Sequence, residues 1–173
     1  MERTPEFQPE AVIRLLGRHQ VRYVIIGGLA AVTHGAPIVT QGVDLCHARD
    51  PDNLARLATA LQEVHAELRG ADPGLPFRLD ARTLANGDTF TFTTDLGWID
   101  ILGTPAGTDG YDDLARTADI FPLFGHRVLI AAVDDLIRMK RAAGRPKDLL
   151  AIEELGALAQ ELDASALTSR PPR

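Results

Sequence analysis

Two aspartates lie in otherwise apolar stretches of the sequence. Asp44 lies within Val43–Leu45, and Asp100 lies within Ile99–Ile101. A carboxylate in such a strand is costly to bury without compensation, and two that met would repel each other unless a cation lay between them. Magnesium prefers carboxylate and phosphate oxygens, so the pair is a candidate metal site. The alternative is that both residues point from the polar face of a one-sided sheet.

A pair of glycines, Gly27 and Gly28, follows the β-branched run 21–26. Glycines between a strand and a helix allow a ligand to approach the main chain, and a helix start offers free N–H groups to a phosphate. The spacing matches neither G-x-G-x-x-G nor a Walker loop. The pair therefore indicates either a phosphate-binding turn or an ordinary tight turn from strand to helix.

A basic segment occurs late in this acidic chain. Five basic residues fall between positions 138 and 147: Arg138, Lys140, Arg141, Arg145 and Lys147. If they converged on a metal site, they would hold a triphosphate or an RNA phosphate. Basic residues also favour helix C-termini and ordinary surface, so the pattern leaves both interpretations open.

Composition limits the class of protein and the cellular location that the sequence is compatible with. The chain has 173 residues, 45% of them hydrophobic, and a net charge of −6, which excludes disorder as the main state. No apolar run approaches the roughly 20 residues of a membrane span, and residues 1–10 do not resemble a signal peptide. A single cysteine, Cys46, excludes an internal disulfide. We expect a cytoplasmic protein with one domain over residues 1–164 and a flexible tail over 165–173.

Hydrophobic periodicity predicts alternating helices and strands. Helices are expected at 9–19, 29–33, from 51 to near 70, within 107–118, at 133–143 and from 146 to about 162. Strands are expected at 21–26, 38–48, 88–94, 98–102, 120–123 and 127–130. The order predicts an α/β (α+β) fold, in which helices flank a mixed β-sheet and a helical pair ends the chain.

The order of these motifs resembles a known family. Residues 23–44 read YVIIGGLAAVTHGAPIVTQGVD, residues 98–102 read WIDIL, and residues 135–148 read DLIRMKRAAGRPKD. This series is similar to the AbiEii-like toxins, the nucleotidyltransferases of type IV toxin–antitoxin pairs, over about residues 21–155. The resemblance implies the nucleotidyltransferase fold and the transfer of a nucleoside monophosphate from an NTP to a hydroxyl, at a tRNA 3′ end or on a protein.

The resemblance also implies roles for the matching residues. The catalytic residues would be Asp44, Asp100 and Lys140, and the two aspartates would bind Mg²⁺. The nucleotide-binding residues would be Gly27, Gly28, Thr40, Lys140, Arg145, Lys147 and Asp148. The expected partners are an NTP, a tRNA or protein acceptor and a cognate antitoxin, with no membrane.

One position departs from the family's pattern. The family has an Asp-x-Asp pair, whereas this chain has Gly42 two residues before Asp44. Positions 42 and 44 of a strand share a face, so a ligand to the metal is missing and weak Mg²⁺ binding is expected. The neighbours Asp50 and Asp95 are expected to cap a helix and to form a turn. The sequence thus leaves three hypotheses open: an active enzyme, an inactive nucleotide-binding relative, and a protein that acts through a partner such as the antitoxin.

Overall fold

The structure is a computed structural model that describes residues 4–169, except for the side chain of Leu149. Its helices are α1 (Pro9–Arg18), α2 (Gly27–Thr33), α3 (Pro51–Glu63), α4 (Ala81–Asn86), α5 (Tyr111–Thr117), α6 (Val133–Ala143) and α7 (Pro146–Thr168). Its strands are β1 (Tyr23–Ile26), β2 (Gly42–His47), β3 (Glu67–Leu68), β4 (Thr89–Thr94), β5 (Gly97–Leu102), β6 (Asp119–Leu123) and β7 (His126–Ile130).

The strands form one mixed sheet in the order β3-β4-β5-β2-β1-β7-β6. Strand β2 runs parallel to β5 and antiparallel to β1, and β7 runs parallel to β1. The two hairpins β4–β5 and β6–β7 supply the antiparallel flanks, as the sequence predicted. The predicted fold class, a mixed sheet flanked by helices with a helical pair at the end, is confirmed.

The side-chain alternation of β2 and β5 separates a core face from a polar face. Val43 and Leu45 pair in register with Ile99 and Ile101, and all four are buried in the core. Because successive strand residues point to opposite sides, Asp44 and its neighbours on β5 point away from this core. Helix α2 packs on β1 and β2 and contacts α6, which places helices on the polar side of the sheet.

The predicted second strand, 38–48, is shorter in the structure. Ile26 is the last β1 residue paired with β2, because α2 begins at the next residue. Gly42 is the first residue of β2, and the pairing with β5 begins there. Residues before it therefore leave the sheet, and Val39, expected as an apolar member of the strand, is 95% exposed.

The predicted third helix ends earlier than its apolar pattern suggested. Asp50 caps it as expected, since its carboxylate accepts a hydrogen bond from the backbone N–H of Asn53. The helix ends at Glu63, and His65 adopts a left-handed backbone that breaks it. Leu68 kept the helical spacing but belongs to β3, where it pairs with Phe92 of β4.

Three other boundaries differ from the prediction. Helix α2 begins at the glycine pair rather than at Leu29, and α4, which was not predicted, begins after a cap by Asp80. Helix α7 extends to Thr168, where Ser165 and Thr168 hydrogen-bond to carbonyls one turn back. Residues 165–168 of the predicted tail are thus helical, and 170–173 lie outside the described residues. Within the described chain, no helix has an apolar stretch of the length that a bilayer requires.

Candidate active site

The two aspartates of the apolar strands meet. Asp44 and Asp100 are directly opposite each other in the parallel β2–β5 pair. Burial, followed by the charge and hydrogen bonding of Asp100, raises the pKa of Asp44 to about 6, while Lys140 and Arg69 act in the opposite direction. The two carboxylates therefore share one site on the polar face of the sheet, and Asp44 lacks sufficient positive charge around it.

Gly27 packs directly on the carboxylate of Asp44. A Cβ at position 27 would lie 3.0 Å from the Asp44 Cγ and closer still to Oδ2. Its backbone also has a φ of +66°, in the left-handed region that other residues adopt at a cost. Position 27 thus requires glycine for two independent reasons, one of which is the close packing on Asp44.

The residues that flank this contact form a second small cluster. A Cβ at Gly28 would meet Thr40 Oγ1 at 3.4 Å, which is an ordinary contact. The Thr40 hydroxyl donates to the carbonyl of Gly42 at 2.8 Å. Thr40 is therefore beside the glycine pair, where the resemblance placed it, but its hydroxyl is engaged in holding the start of β2.

Gly42 is a position of close backbone approach. A Cβ there would lie 2.7 Å from Trp98 Cβ and closer still to the Trp98 carbonyl oxygen. No side chain fits unless β2 and β5 separate. The sequence predicted that Gly42 leaves the site without a carboxylate that the family has, and the structure adds that the packing of β5 at Trp98 leaves no room for one.

Arg69 is a charged member of the site that sequence reasoning missed. Its Nη2 donates to both carboxylate oxygens of Asp100, at 3.0 and 2.9 Å. Its guanidinium lies 4.6 Å from the centre of the Trp98 ring. The sequence placed Arg69 on a helix that ran to near residue 70. In the structure, Arg69 follows β3, and its position depends on the pairing of β3 with β4. No motif in the sequence signals this pairing.

The basic segment divides into two groups with different contacts. Lys140 Nζ lies 3.4 Å from Asp148 Oδ1, and Arg145 Nε donates to Asp148 Oδ2 at 2.8 Å. The hydrogen bonds from Arg145 and the charge of Lys140 lower the pKa of Asp148 to about 2. Lys147 is exposed. Asp148 thus holds Lys140 and Arg145 together at the junction of α6 and α7.

Arg138 belongs to a separate network. Its guanidinium contacts Asp113 at 3.1 Å and Asp135 at 3.0 Å, which ties α6 to α5. Arg141 is exposed. The structure therefore brings Lys140 and Arg145, but not Arg138, towards the aspartate pair.

A cavity of about 370 Å³ joins Asp44 to the basic group. Gly27, Gly28 and Asp44 lie on its wall, together with Lys140 and Arg145. The rest of the wall is mostly apolar. It comes from β1, from α2 and the residues after it, from β5 and the residues after it, and from α6 and α7: Ile26, Ala31, Ala36, Ile38, Leu102, Pro105, Ala106, Leu136, Met139, Ala143, Ala151, Glu154 and Leu155. The cavity wall thus combines a few charged side chains with a mostly apolar lining.

A second cavity of about 370 Å³ lies beside the same carboxylates. Its wall consists of residues 39–44 with Arg69, Trp98 and Asp100. Asp44 is common to the two cavities. A group bound in one cavity and a group bound in the other would therefore meet at the Asp44 carboxylate.

The donor set fits one divalent ion. Across residues 4–169, no three or more His, Cys, Asp or Glu side chains are grouped as a metal site. Magnesium is usually held by one or two carboxylates together with substrate phosphates, and Asp44 and Asp100 can supply the carboxylates. Burial and then the neighbouring Asp100 carboxylate raise the pKa of Asp44, and a bound cation would oppose both effects.

Comparison with known proteins gives matches in structure but not in sequence. No protein-family model matches the chain, and no curated protein matches it. The lincosamide antibiotic adenylyltransferase LnuA, with lincomycin bound, is similar at a TM-score of 0.58 and 11% identity, over 89% of this chain and 99% of LnuA. The antibiotic-resistance factor ANT(2'')-Ia is similar at a TM-score of 0.53 and 12% identity, over 89% of this chain and 82% of ANT(2'')-Ia.

A third similar structure is TM1012 of Thermotoga maritima, a predicted nucleotidyltransferase. It gives a TM-score of 0.51 and 14% identity, over 92% of this chain and 97% of its own. At such identities the likeness concerns the fold alone. The narrower resemblance to AbiEii-like toxins is not confirmed by any of these matches. The chain has the nucleotidyltransferase fold.

Proposed function

We propose that this protein is a magnesium-dependent nucleotidyltransferase, which moves a nucleoside monophosphate from an NTP to a hydroxyl and releases pyrophosphate. The observation that carries the proposal is the registered pair of Asp44 and Asp100, in which Asp44 packs against Gly27 and lines a cavity that Lys140 also lines. The fold of the similar structures supports the same reaction class.

The cavity has the features of a nucleotide site. Its apolar lining suits a nucleobase and its charged side chains suit a triphosphate. Lys140 and Arg145 would contact phosphate oxygens, and the close approach at Gly27 and Gly28 would bring backbone N–H groups to the same oxygens. Asp148 would keep the two basic side chains oriented, since it contacts both. Lys147, exposed on the surface, would contribute only long-range charge.

The reaction would take place at the Asp44 carboxylate. A magnesium ion bound there would neutralise the phosphate charge that develops during in-line displacement. The acceptor oxygen bonds to the α-phosphorus while the bond to the pyrophosphate oxygen breaks. The hydroxyl proton must leave the acceptor, and Asp100, which faces Asp44 across the β2–β5 pair, would accept it or help to hold the ion. Lys140 would stabilise the negative charge on the departing pyrophosphate.

The acceptor in this proposal carries a hydroxyl. The sequence resemblance to AbiEii-like toxins favours a tRNA 3′ end or a protein, and with it a toxin role beside a cognate antitoxin. The similarity to LnuA, which was solved with lincomycin bound, adds small antibiotics as a class to test. An antitoxin-like reading frame next to the gene would favour the toxin assignment.

The test is transfer of label from each of the four α-³²P NTPs, with Mg²⁺, to total tRNA, to protein and to lincomycin. The parent chain should label one acceptor class, and Asp44→Asn should label none. Asp72→Asn, in an exposed loop, is the matched control and should behave as the parent. Equal labelling by Asp44→Asn and the parent would refute the proposal.

A second candidate function is nucleotide binding without turnover. It is favoured by Arg69, whose Nη2 contacts both oxygens of Asp100, and by Gly42, which leaves no room for a further ligand. A protein of this kind would bind an NTP equally well in Mg²⁺ and in EDTA, and would transfer no label. The active enzyme requires the opposite result in both measurements.

A further inference from the structure

The contact between Arg69 and Asp100 is a built feature of the site. The guanidinium donates to both oxygens of the carboxylate and stacks on Trp98, while the Arg69 backbone N–H donates to the Thr91 carbonyl at 2.9 Å. Both side chains of the ion pair are largely buried, with exposed fractions of 25% for Arg69 and 22% for Asp100. Arginine suits this place, because its planar charge stacks on an aromatic ring and cannot be lost by deprotonation.

This contact limits what Asp100 can offer to a metal. A two-ion displacement needs carboxylates that reach both ions. Here Asp100 already has a cation in hydrogen-bonding contact with both oxygens, and position 42 on the same face cannot carry a side chain. Asp44 has no such permanent cation bonded to it among residues 4–169. The carboxylate left free for a divalent ion is therefore Asp44.

We propose that Arg69 is a resident cation that takes the place of a second metal ion, so that the protein works with one divalent ion per site. The proposal rests on the proposed function and specifies its metal requirement. Arg69 acts through Asp100 and is a positioning residue: it fixes the orientation of the Asp100 carboxylate and supplies positive charge next to the ion.

An unused hydrogen-bond donor adds a second observation. The Nη1 group of Arg69 is buried and has no hydrogen-bond partner within the described part of the chain. A buried N–H without a partner is costly, and a bound oxygen would remove that cost. Because Arg69 lines the second cavity, the oxygen would come from a substrate bound there, beside Asp44. Arg69 would then connect substrate binding to the carboxylate that it holds.

The test is a Mn²⁺ titration followed by electron paramagnetic resonance, without nucleotide, on the parent, Arg69→Gln and Arg69→Lys. The parent should bind one Mn²⁺ per chain. Arg69→Gln should bind Mn²⁺ about tenfold more tightly, because the guanidinium no longer competes for Asp100. Its transfer rate should nevertheless fall about a hundredfold, since the resident charge is lost. Arg69→Lys keeps a charge and should be intermediate in both measurements.

Arg78→Gln is the matched control, because that arginine lies on the segment after β3 with a side chain 89% exposed. It should match the parent in both measurements. Unchanged or weaker Mn²⁺ binding by Arg69→Gln, with an unaltered melting temperature, would overturn the inference, and so would two Mn²⁺ ions per parent chain in the presence of a non-hydrolysable NTP analogue. The titration needs no turnover, so an absence of transfer in the parent would refute the proposed function while leaving this result readable.

Discussion

The carboxylates of Asp44 and Asp148 both feel the charge of Lys140, but their electrostatic situations are opposite. Asp148 receives hydrogen bonds from Arg145 and a contact from Lys140, and its pKa falls to about 2. Asp44 is buried beside Asp100, and its pKa rises to about 6. One carboxylate is fully satisfied by the protein's own cations, whereas the other is not. The difference identifies Asp148 as a structural anchor and Asp44 as the place where a further cation is favourable.

Removal of the Asp44 charge should have the largest effect. Asp44→Asn should reduce nucleotidyl transfer by about a thousandfold, since the ion loses its free carboxylate. The measurement is initial-rate transfer from a labelled NTP at saturating Mg²⁺. Asp72→Asn should leave the rate unchanged. A loss of less than about tenfold would mean that Asp44 does not bind the ion.

A backbone change at Gly27 should have the next largest effect. Gly27→Ala places a methyl group against the Asp44 carboxylate and strains a left-handed backbone, so we expect transfer to fall about a hundredfold. Gly28→Ala meets Thr40 only at ordinary contact distance and should lose much less. Gly74→Ala, where nothing lies within 4 Å, is the neutral control. Equal losses at positions 27 and 28 would contradict the close packing on Asp44.

Removing the charge of Asp148 should give a smaller effect of a different kind. Asp148→Asn frees Lys140 and Arg145, so the KM for the NTP should rise about tenfold while Mn²⁺ affinity stays constant. Steady-state kinetics and the Mn²⁺ titration measure the two quantities separately. Asp163→Asn, exposed on the same helix, is the control. A loss of metal affinity with unchanged KM would reverse the roles given to the two aspartates.

The smallest effect concerns stability against pH in EDTA. The pKa of Asp44 rises from 3.8 in its ordinary state to about 6 in the fold, so the folded state holds this proton more tightly than the unfolded state. The contribution of Asp44 to the free energy of unfolding is complete below pH 4 and is lost as the pH rises through 6. This contribution is at most about 3 kcal/mol. Urea unfolding midpoints from pH 4 to 7 should fall in the parent and stay flatter in Asp44→Asn.

The stability that Asp148 contributes depends on pH in the opposite direction. Its pKa is lowered, so its stabilisation is present above pH 4 and disappears as the pH falls towards 2. Asp148→Asn should therefore weaken the fold at pH 7 and have little effect at pH 2. Parallel pH profiles for the Asp44 and Asp148 variants would contradict the electrostatic contrast between the two carboxylates.

The sequence predicted most of what lies on regular elements. The apolar strands around Asp44 and Asp100, the glycine pair and the helix ending in Gly144 all lie where their spacing suggested. Strand alternation is local, so it could be read from neighbouring residues. The meeting of Asp44 with Asp100 needed the motif order as well, since strand pairing is not local.

Arg69 and Gly42 could not be understood from the sequence. Arg69 followed an apolar pattern that fits a helix, and a left-handed residue at His65 together with a two-residue edge strand placed it elsewhere. Gly42 looked like the loss of a carboxylate, but the close approach of Trp98 is a tertiary contact that no neighbouring residue reports. For the same reason, Gly42→Asp is expected to weaken the sheet rather than to raise activity.

The central claim is that the nucleotide is bound through a metal ion that Asp44 holds. Calorimetric titration with each of the four NTPs, in Mg²⁺ and in EDTA, tests this claim most directly. The account predicts that the parent binds at least one NTP in Mg²⁺ and loses at least about tenfold in affinity in EDTA, while Asp44→Asn binds equally weakly in both. Equal binding by the parent in Mg²⁺ and EDTA, or a magnesium effect that survives in Asp44→Asn, would contradict it.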